Sequence, residues 1–258
     1  MHVIDIRRFF LQYRKILSAA GMLLIVAVIF WTVNSPAIVG AAATQRQLPV
    51  YSVQRDDKVV ALSFDAAWGN EDTQTLIDIL SKYHVNTTFF VVGDWVDRYP
   101  DSVRALAEAG NEVMNHSSSH AHFSSLSRDQ IIADITACNE KIAAVTGQTP
   151  TLFRCPYGEY DDHVISTIRG MGMTPVQWSI DSLDWKGLSA GEIQHRVLKD
   201  IEPGSIILFH NAAENTPEAL PGILESLIAE GYRIVPISQI LLDGDTMIDS
   251  TGKQCPKR

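Results

Sequence analysis

Two histidines four residues apart, His116 and His120, are the first candidates for chemistry in this chain. They close the segment His-Ser-Ser-Ser-His, which follows a short apolar run, Val113-Met114. Neutral imidazole is the commonest side-chain ligand of zinc and similar ions, and two imidazoles at this spacing can bind one ion. The same spacing also arises by chance from two solvated loop histidines, so the pair alone leaves both interpretations open.

Further polar residues stand where strand-like apolar runs end. Asp65 follows the run that begins at Val59, and His210 follows a very apolar run, residues 206–209. The full set at such positions is Asp65, Arg154, Asp181, Asp184, Trp185 and His210. In a βα barrel the C-terminal ends of the strands face one mouth, where active sites are found. We therefore expect these groups and the histidine pair to converge on one site.

The elements that must position these residues alternate regularly between two periodicities. We predict strands at residues 59–64, 87–92, 112–115, 152–154, 174–180, 205–209 and 232–235. Amphipathic helical segments separate them; Asn70 is the predicted N-cap of the first, and Ser127 opens a capping box with Gln130. Such alternation is typical of parallel βαβ units. The sequence predicts an α/β fold, a distorted (β/α) barrel with about seven parallel strands.

The N-terminal segment differs in character from the rest. Residues 16–33 are almost wholly apolar and follow four basic residues, Arg7, Arg8, Arg14 and Lys15. This length approaches the ~20 residues of a membrane-spanning helix, and the basic flank favours a cytoplasmic N-terminus. We predict a cytoplasmic basic segment (1–15), a transmembrane anchor (16–33), a linker (34–57), the main domain (58–242) outside the cytoplasm and a loose tail (243–258). The alternative is signal cleavage near Ala43 and secretion.

Charge and cysteine content exclude two function classes. Residues 1–44 carry four basic residues and one acid, so the chain's net charge of −9 leaves −12 on residues 45–258. Nucleic-acid binding, which depends on a basic face, is therefore not expected. The three cysteines, Cys138, Cys155 and Cys255, form no C-x-x-C pair, so neither a cysteine zinc site nor a disulfide framework is indicated.

An ordered set of motifs over about residues 58–242 resembles the polysaccharide deacetylase family, carbohydrate esterase family four, with its chitooligosaccharide deacetylase homology domain. The motifs are Ser63-Phe64-Asp65, His116-Ser-Ser-Ser-His120, Arg154-Cys-Pro-Tyr157-Gly158, Asp181-Ser-Leu-Asp184-Trp185 and Ile207-Leu208-Phe209-His210. The Asp-Ala-Ala-Trp-Gly form of the first motif, together with an N-terminal anchor, is most similar to the sporulation-associated PdaB-type deacetylases.

The resemblance implies metal-assisted removal of N-acetyl groups from a cell-wall glycan. It assigns His116 and His120 to a divalent metal, expected to be zinc, that polarises the acetamide carbonyl. It makes Asp65 the general base that takes a proton from water, with Arg154 keeping it ionised.

The same resemblance implies roles for the other motif residues. His210, oriented by Asp184, would protonate the departing amine. The backbone N–H of Tyr157 would stabilise the oxyanion, and Trp185 and Leu208 would line the acetyl methyl group. Two simpler interpretations remain, a purely structural Asp65–Arg154 ion pair and a core position for Trp185.

One position departs from the family pattern. The second residue of the first motif is normally an aspartate that binds the metal, and here it is Ala66. A methyl group cannot be a ligand, so the metal binds weakly through two histidines and water, or another carboxylate such as Glu71 or Asp72 replaces it, or the site is empty.

Two other functions compete with a deacetylase of low activity. The first is a glycan-binding or scaffolding protein at the cell envelope with a disabled cleft. The second is a glycosidase that uses Asp65 and Asp184 as its carboxylate pair, which leaves the two histidines unexplained.

Overall fold

The computed structural model describes residues 6–33 and 46–257. The chain divides into two compact units, Met1–Arg46 and Gln47–Arg258. In the first unit, helix α1 (Ile6–Val33) begins ten residues before the predicted anchor and includes the basic residues predicted to precede it. None of the helices among the described residues is both long and apolar enough to span a membrane. The transmembrane anchor at residues 16–33 stays a prediction, and the alternative cleavage near Ala43 lies outside the described residues.

The second unit is built on a parallel sheet that contains the predicted strands. The sheet has the strand order β6-β5-β4-β3-β2-β8-β7, and β9 pairs with the first residues of β2. Its strands are β2 (Val59–Ala66), β3 (Thr88–Val91), β4 (Glu112–Asn115), β5 (Leu152–Phe153), β6 (Thr174–Pro175), β7 (Ile180–Asp181), β8 (Ile206–His210) and β9 (Arg233–Ile234). The parallel α/β architecture predicted from the alternation is confirmed as a curled half-barrel.

Most helices of the second unit cover the outer face of this sheet, whereas the last one packs Ile237 and Ile240 with the inward-facing side chains of Val59 and Ala61. The helices are α2 (Thr73–Lys82), α3 (Gly93–Arg98), α4 (Pro100–Glu108), α5 (Arg128–Thr146), α6 (Asp162–Gly170), α7 (Ala190–Leu198), α8 (Thr216–Ala229) and α9 (Ile237–Ile240). Alternate residues of β2 (Val60, Leu62, Phe64 and Ala66) contribute to the apolar cluster that also contains buried side chains of the helices. The intervening residues face the barrel interior, where Ser63 and Asp65 are the buried polar members.

The curl of the sheet follows from the segment predicted as one strand at 174–180. It forms two strands at opposite edges, because β6 pairs with β5 whereas β7 pairs with β8. In a flat seven-stranded sheet these edges would lie roughly 29 Å apart. The five residue steps from Pro175 to Ile180 reach at most about 17 Å. The two edges must therefore approach each other, which brings the carboxyl ends of the strands around one mouth.

The C-terminal tail, predicted to be loose, is ordered, so that prediction is wrong. Strands β10 (Thr246–Ile248) and β11 (Lys253–Pro256) form a small sheet with β1 (Ser52–Val53), which lies in the predicted linker. Gln254 is buried, and its side chain exchanges hydrogen bonds with the backbone of Leu242. Backbone pairing needs few apolar side chains, so the tail's composition did not reveal these strands.

The capping box at the start of α5 gives a first prediction. Ser127 Oγ accepts from the Gln130 backbone N–H, and the Gln130 side chain accepts from the Ser127 N–H. The change Ser127→Ala is expected to lower the free energy of unfolding by about 0.5–2 kcal/mol, because it leaves a helix N–H without its partner. Urea unfolding measures this difference. A Ser127→Asp variant retains the acceptor and should remain close to the native value.

Candidate active site

A cleft of about 370 Å³ opens at the mouth formed by the strand ends. Its lining comprises Asp65, Trp68, His116, His120, Tyr157, Gly158, Trp178, Asp181, Trp185, Leu208 and His210. Seven of the nine residues assigned by sequence are in this lining, and the other two, Arg154 and Asp184, contact lining residues from behind. Strand register explains the convergence, since Asp65 on β2 is the direct neighbour of His210 on β8.

Asp65 is held by an ion pair at the base of the cleft. Arg154 Nη1 donates to Asp65 Oδ1 at 2.7 Å, and the Arg154 side chain is fully buried. Arg154 Nη2 also donates to Ser63 Oγ at 2.9 Å and to the Gln177 carbonyl at 3.1 Å, which fixes the orientation of the guanidinium group. Burial is the largest single influence on the pKa of Asp65 and would raise it, but the charge and hydrogen bond of Arg154, together with smaller contributions from neighbouring histidines, outweigh burial and lower this pKa below its usual value. Asp65 is therefore an ionised carboxylate that faces the cleft.

The two histidines are held in the neutral form that binds metals. His116 Nδ1 lies 2.8 Å from the Arg154 carbonyl, which can only accept, so Nδ1 carries the proton and Nε2 carries the lone pair. Burial lowers the pKa of His116 and lowers that of His120 to about 4. The 3.5 Å approach of His116 Nε2 to Asp65 Oδ2 is accordingly a contact with a neutral ring and not an ion pair. The two imidazole centroids are 5.0 Å apart.

The donor set around these histidines is incomplete for a metal. Ala66 is buried in the apolar cluster and offers no donor atom. Neither Glu71 nor Asp72 lines the cleft, and Asp72 Oδ2 accepts a hydrogen bond from the Ala212 N–H at 2.9 Å. Within residues 6–33 and 46–257, no three His, Cys, Asp or Glu side chains group closely enough to hold an ion. A replacement ligand from Glu71 or Asp72 is therefore not observed, and the site has two of the three ligands expected for the family.

His210, the neighbour of Asp65 on the adjacent strand, is held by a second buried carboxylate, Asp184. Its Nδ1 lies 2.8 Å from Asp184 Oδ1, and its backbone N–H donates to Asp184 Oδ2 at 2.8 Å. Thr216 Oγ1 donates to the same Oδ2 at 2.7 Å, so the buried carboxylate is fixed from several directions. Burial opposes protonation of His210, but the hydrogen bond and charge of Asp184 raise its pKa above the usual value. His210 is thus suited to donate a proton from Nε2.

Left-handed backbone conformations are concentrated next to these residues. Five non-glycine residues with positive φ adjoin the site: Ser117 (71°), His120 (54°), Tyr157 (58°), Leu183 (52°) and Ala212 (52°). Such conformations are uncommon outside glycine and cluster at functional sites, where they fix the direction of a side chain or an N–H group. None of these five positions is a glycine or an asparagine, so the left-handed conformations could not be predicted from residue type.

An aromatic rim around the cleft was missed by sequence analysis except for Trp185 and Tyr157. The Trp68 ring lies parallel to the His210 imidazole, with centroids 5.7 Å apart and planes 20° apart. Tyr157 stacks on His122, whose Nδ1 is 2.7 Å from Glu159 Oε2. Sequence analysis did not identify these two partners of His122, whose side chain is largely exposed. Cys155 is buried in an apolar cluster, and burial raises the pKa of its thiol.

Comparison with known proteins agrees with this geometry. Residues 52–176 match the family model for polysaccharide deacetylases. The peptidoglycan-N-acetylmuramic acid deacetylase PdaC of Bacillus subtilis is 34% identical over 189 residues, which cover 73% of this chain and 40% of PdaC. A peptidoglycan-N-acetylglucosamine deacetylase of Bacillus cereus is 32% identical over 182 residues, which cover 69% of this chain and 66% of that protein. The chain thus spans less than two thirds of the length of both curated relatives.

Solved structures extend the likeness to three dimensions. A CE4 family pseudoenzyme from Bacillus anthracis superposes with a TM-score of 0.71 at 33% identity, covering 74% of this chain and 68% of that one. A mutant of a CE4 family pseudoenzyme with restored enzymatic activity gives a TM-score of 0.72 at 34% identity, covering 74% and 70% of the two chains. The similarity to the PdaB type stays a prediction. The chain belongs to the polysaccharide deacetylase family, carbohydrate esterase family 4.

Proposed function

We propose that this domain removes N-acetyl groups from a cell-wall glycan of the peptidoglycan type, at a low rate. The observation that carries the proposal is the acid–base pair in one cleft, with Asp65 held ionised by Arg154 and His210 held by Asp184 on the adjacent strand. Curated relatives act on peptidoglycan, as their names state. A cleft with a base and an acid on neighbouring strands is suited to the attack of water on an amide and the release of an amine.

In the proposed reaction Asp65 takes a proton from water, and the oxygen adds to the acetamide carbon. The backbone N–H of Tyr157 stabilises the resulting oxyanion, as in the family. His210 Nε2 then donates its proton to the amine nitrogen while the C–N bond breaks, which releases acetate and a free amine. Trp185 and Leu208 in the lining supply the apolar wall for the acetyl methyl group. A divalent metal would be held by His116 and His120 and would polarise the acetamide carbonyl, but two imidazole donors would hold it only weakly, which is the reason for the low rate proposed.

Location and biological setting are part of the proposal. The glycan substrate lies outside the cytoplasmic membrane, so we place the domain, residues 47–258, on that side. The sporulation setting is supported by the resemblance of the Asp65-Ala-Ala-Trp-Gly69 segment to the PdaB type.

A second function, glycan binding without catalysis, is favoured by the missing carboxylate at Ala66 and by the likeness to the Bacillus anthracis pseudoenzyme. The glycosidase alternative is disfavoured by the position of Asp184. Its carboxylate oxygens are engaged by the His210 ring and backbone N–H and by the Thr216 hydroxyl. Asp184 does not line the cleft, so it is not placed as a second reactive carboxylate.

Acetate release from N-acetylated glycan oligomers tests the proposed function. The full chain is expected to release acetate slowly, with the rate increased by Zn²⁺ or Co²⁺ and reduced by a chelator and by His116→Ala. His195→Ala is the matched control, because His195 lies on α7 outside the cleft lining. If the chain binds glycan but releases no acetate under any of these conditions, the deacetylase proposal is wrong and glycan binding without catalysis is the better account.

The variant Ala66→Asp gives a second prediction at the same site. It supplies the carboxylate that the family carries here, and we expect at least about tenfold faster acetate release with metal, the scale seen when metal-site partners are lost. Because Ala66 is buried among apolar side chains, the variant is also expected to unfold at lower urea concentration. Ala66→Asn, a matched neutral change, should share the loss of stability without the gain in rate. Equal rates in both variants would contradict the role given to the carboxylate.

A further inference from the structure

We propose, on the basis of the proposed function, that the cleft selects an uncharged N-acetylhexosamine and disfavours a sugar that carries a free carboxylate. N-acetylglucosamine is the uncharged case, and muramic acid with a free lactyl group is the charged one. The relatives named for peptidoglycan deacetylation include proteins of both kinds, so family membership does not decide between them.

The first observation is the charge of the lining. It contains two carboxylates, Asp65 and Asp181, and three histidines. No lysine or arginine is among the described residues that line the cleft. A carboxylate on a bound sugar would therefore lose its hydration without gaining a basic partner, which is an unfavourable exchange.

The second observation is that three basic residues close to lining residues in sequence or by contact lie outside the lining of the cleft. Arg154 is paired with Asp65, and its second terminal nitrogen donates to Ser63 and Gln177. Lys186 lies outside the lining, with its ammonium 5.0 Å from the centroid of the Trp185 ring. Arg196 Nε donates to the backbone carbonyl of Asp181 at 2.7 Å, and Arg196 is also outside the lining.

Asp181 is the residue that makes the net charge of the cleft negative. Asp65 is balanced by Arg154, and the positive charge of His210 is balanced by Asp184. The Asp181 carboxylate accepts a hydrogen bond from the Leu183 N–H at 2.9 Å but forms no ion pair within the described residues. It therefore leaves a net negative charge beside His210, and that charge repels a ligand carboxylate.

The third observation is the aromatic rim, which suits the apolar face of an uncharged sugar ring. Within the second unit the exposed large apolar side chains are Trp68 (44%), Tyr157 (61%), Trp185 (54%), Ile228 (45%) and Met247 (43%), and the three aromatic ones line the cleft. Concentration of exposed aromatic surface at one concave site is typical of ligand binding and not of random exposure.

The position of Trp68 in this rim is fixed by Asn211. The Asn211 side chain donates to the Trp68 carbonyl at 2.7 Å and accepts from the Ala67 N–H at 3.3 Å. Trp95, beneath the same loop, is buried and donates its indole N–H to the Gly69 carbonyl at 2.7 Å. One tryptophan therefore anchors the loop in the core, and the other presents a half-exposed ring to the cleft.

The test compares glycans with and without a free carboxylate, two of which differ in charge alone. Calorimetry with the full chain, in chelator, would use tetra-N-acetylchitotetraose, a tetrasaccharide of alternating N-acetylglucosamine and N-acetylmuramic acid with free lactyl groups, and the same tetrasaccharide with lactyl amides. We expect the free-carboxylate form to bind at least tenfold more weakly than the amide at 0.01 M salt. The difference should shrink to about threefold or less at 1 M salt, because the Debye length falls from ~30 to ~3 Å.

Charge variants complete the test. Asp181→Asn is expected to reduce the ratio of the dissociation constants of the free-carboxylate and amide glycans by about threefold or more at low salt. Asp200→Asn removes the same charge outside the cleft and should leave the ratio unchanged. Equal or tighter binding of the carboxylate form at low salt overturns the inference while leaving the proposed function intact. Selective binding without acetate release overturns only the deacetylase proposal, and failure of all three glycans to bind overturns both.

Discussion

The change Asp65→Asn is expected to abolish acetate release and to lower the free energy of unfolding by about 3–5 kcal/mol. The catalytic loss follows from removal of the proposed general base, a contribution of typically 10²–10⁴-fold in rate. The loss of stability follows from Arg154, whose fully buried guanidinium would lose the carboxylate 2.7 Å away. Urea unfolding followed by tryptophan fluorescence measures the second effect independently of activity.

A double-variant cycle shows whether the loss of stability comes from the broken ion pair or from a general weakening of the core. Arg154→Met fills a similar volume without charge, so the double variant Asp65→Asn with Arg154→Met should recover most of the stability lost in Asp65→Asn alone. If the two losses simply add, the destabilisation does not arise from an uncompensated buried charge, and our account of the pair is wrong.

The pH dependence of stability checks the same ion pair, because the direction of the expected change is known. The folded-state pKa of Asp65 is lowered, so its contribution to stability is fully present above its unfolded-state pKa of about 3.9. The contribution is lost as the pH falls through the lower folded-state value. The stability advantage of the native chain over the double variant should therefore decline only in strongly acidic solution and stay constant between about pH 5 and 7.

Structural features that depend on a few neighbouring residues could be predicted correctly from the sequence. The capping box at Ser127 is present as predicted, and Gly147 ends the helix in the left-handed conformation with φ of 72°. Both features depend on a few neighbouring residues. The polar residues at strand ends also reach the cleft, because the direction of parallel strands fixes which end they occupy.

Features that depend on distant partners were not predictable in the same way. Asn70 was predicted to cap α2, but the helix begins at Thr73 and the Asn70 side chain donates to Ser102 instead. The segment at 174–180 reads as one strand, because the curl that divides it between two edges depends on the whole sheet. Trp68 looks like any aromatic residue in sequence, and only the hydrogen bonds of Asn211, more than 140 positions later, place it at the cleft.

In the candidate site, the residue types could be predicted from the sequence, but their surroundings could not. Residue types predicted a base, an acid and two histidine ligands, and the structure brings all of them to one cleft. Sequence could not show that Ala66 points into an apolar cluster, or that Asp72 is engaged with the backbone of Ala212. The incomplete metal ligand set is therefore both a feature of the sequence and a feature that the surrounding structure does not repair.

The second large effect is expected from Asp184→Asn, which should move the alkaline limit of the rate to lower pH. The pKa of His210 is raised because the hydrogen bond and charge of Asp184 outweigh burial. An amide removes the charge while the burial remains, so the pKa of His210 should fall and less of the protonated acid is present at neutral pH. We expect at least about a tenfold lower rate at pH 7, measured as kcat/KM against pH, since one pKa unit changes the protonated fraction by up to tenfold.

The variant Thr216→Val tests whether this shift comes from charge or from disturbed packing. It removes the 2.7 Å hydrogen bond to Asp184 Oδ2 but keeps the carboxylate, the side-chain volume and the contact with His210. It should lower stability by about 1–3 kcal/mol, because a buried acceptor loses a donor, and should leave the alkaline limit nearly unchanged. Titration of the His210 ring protons by NMR measures the same pKa without turnover. If both variants shift it equally, the charge of Asp184 is not what holds His210 in its protonated form, and the acid in the proposed reaction would have to be reassigned.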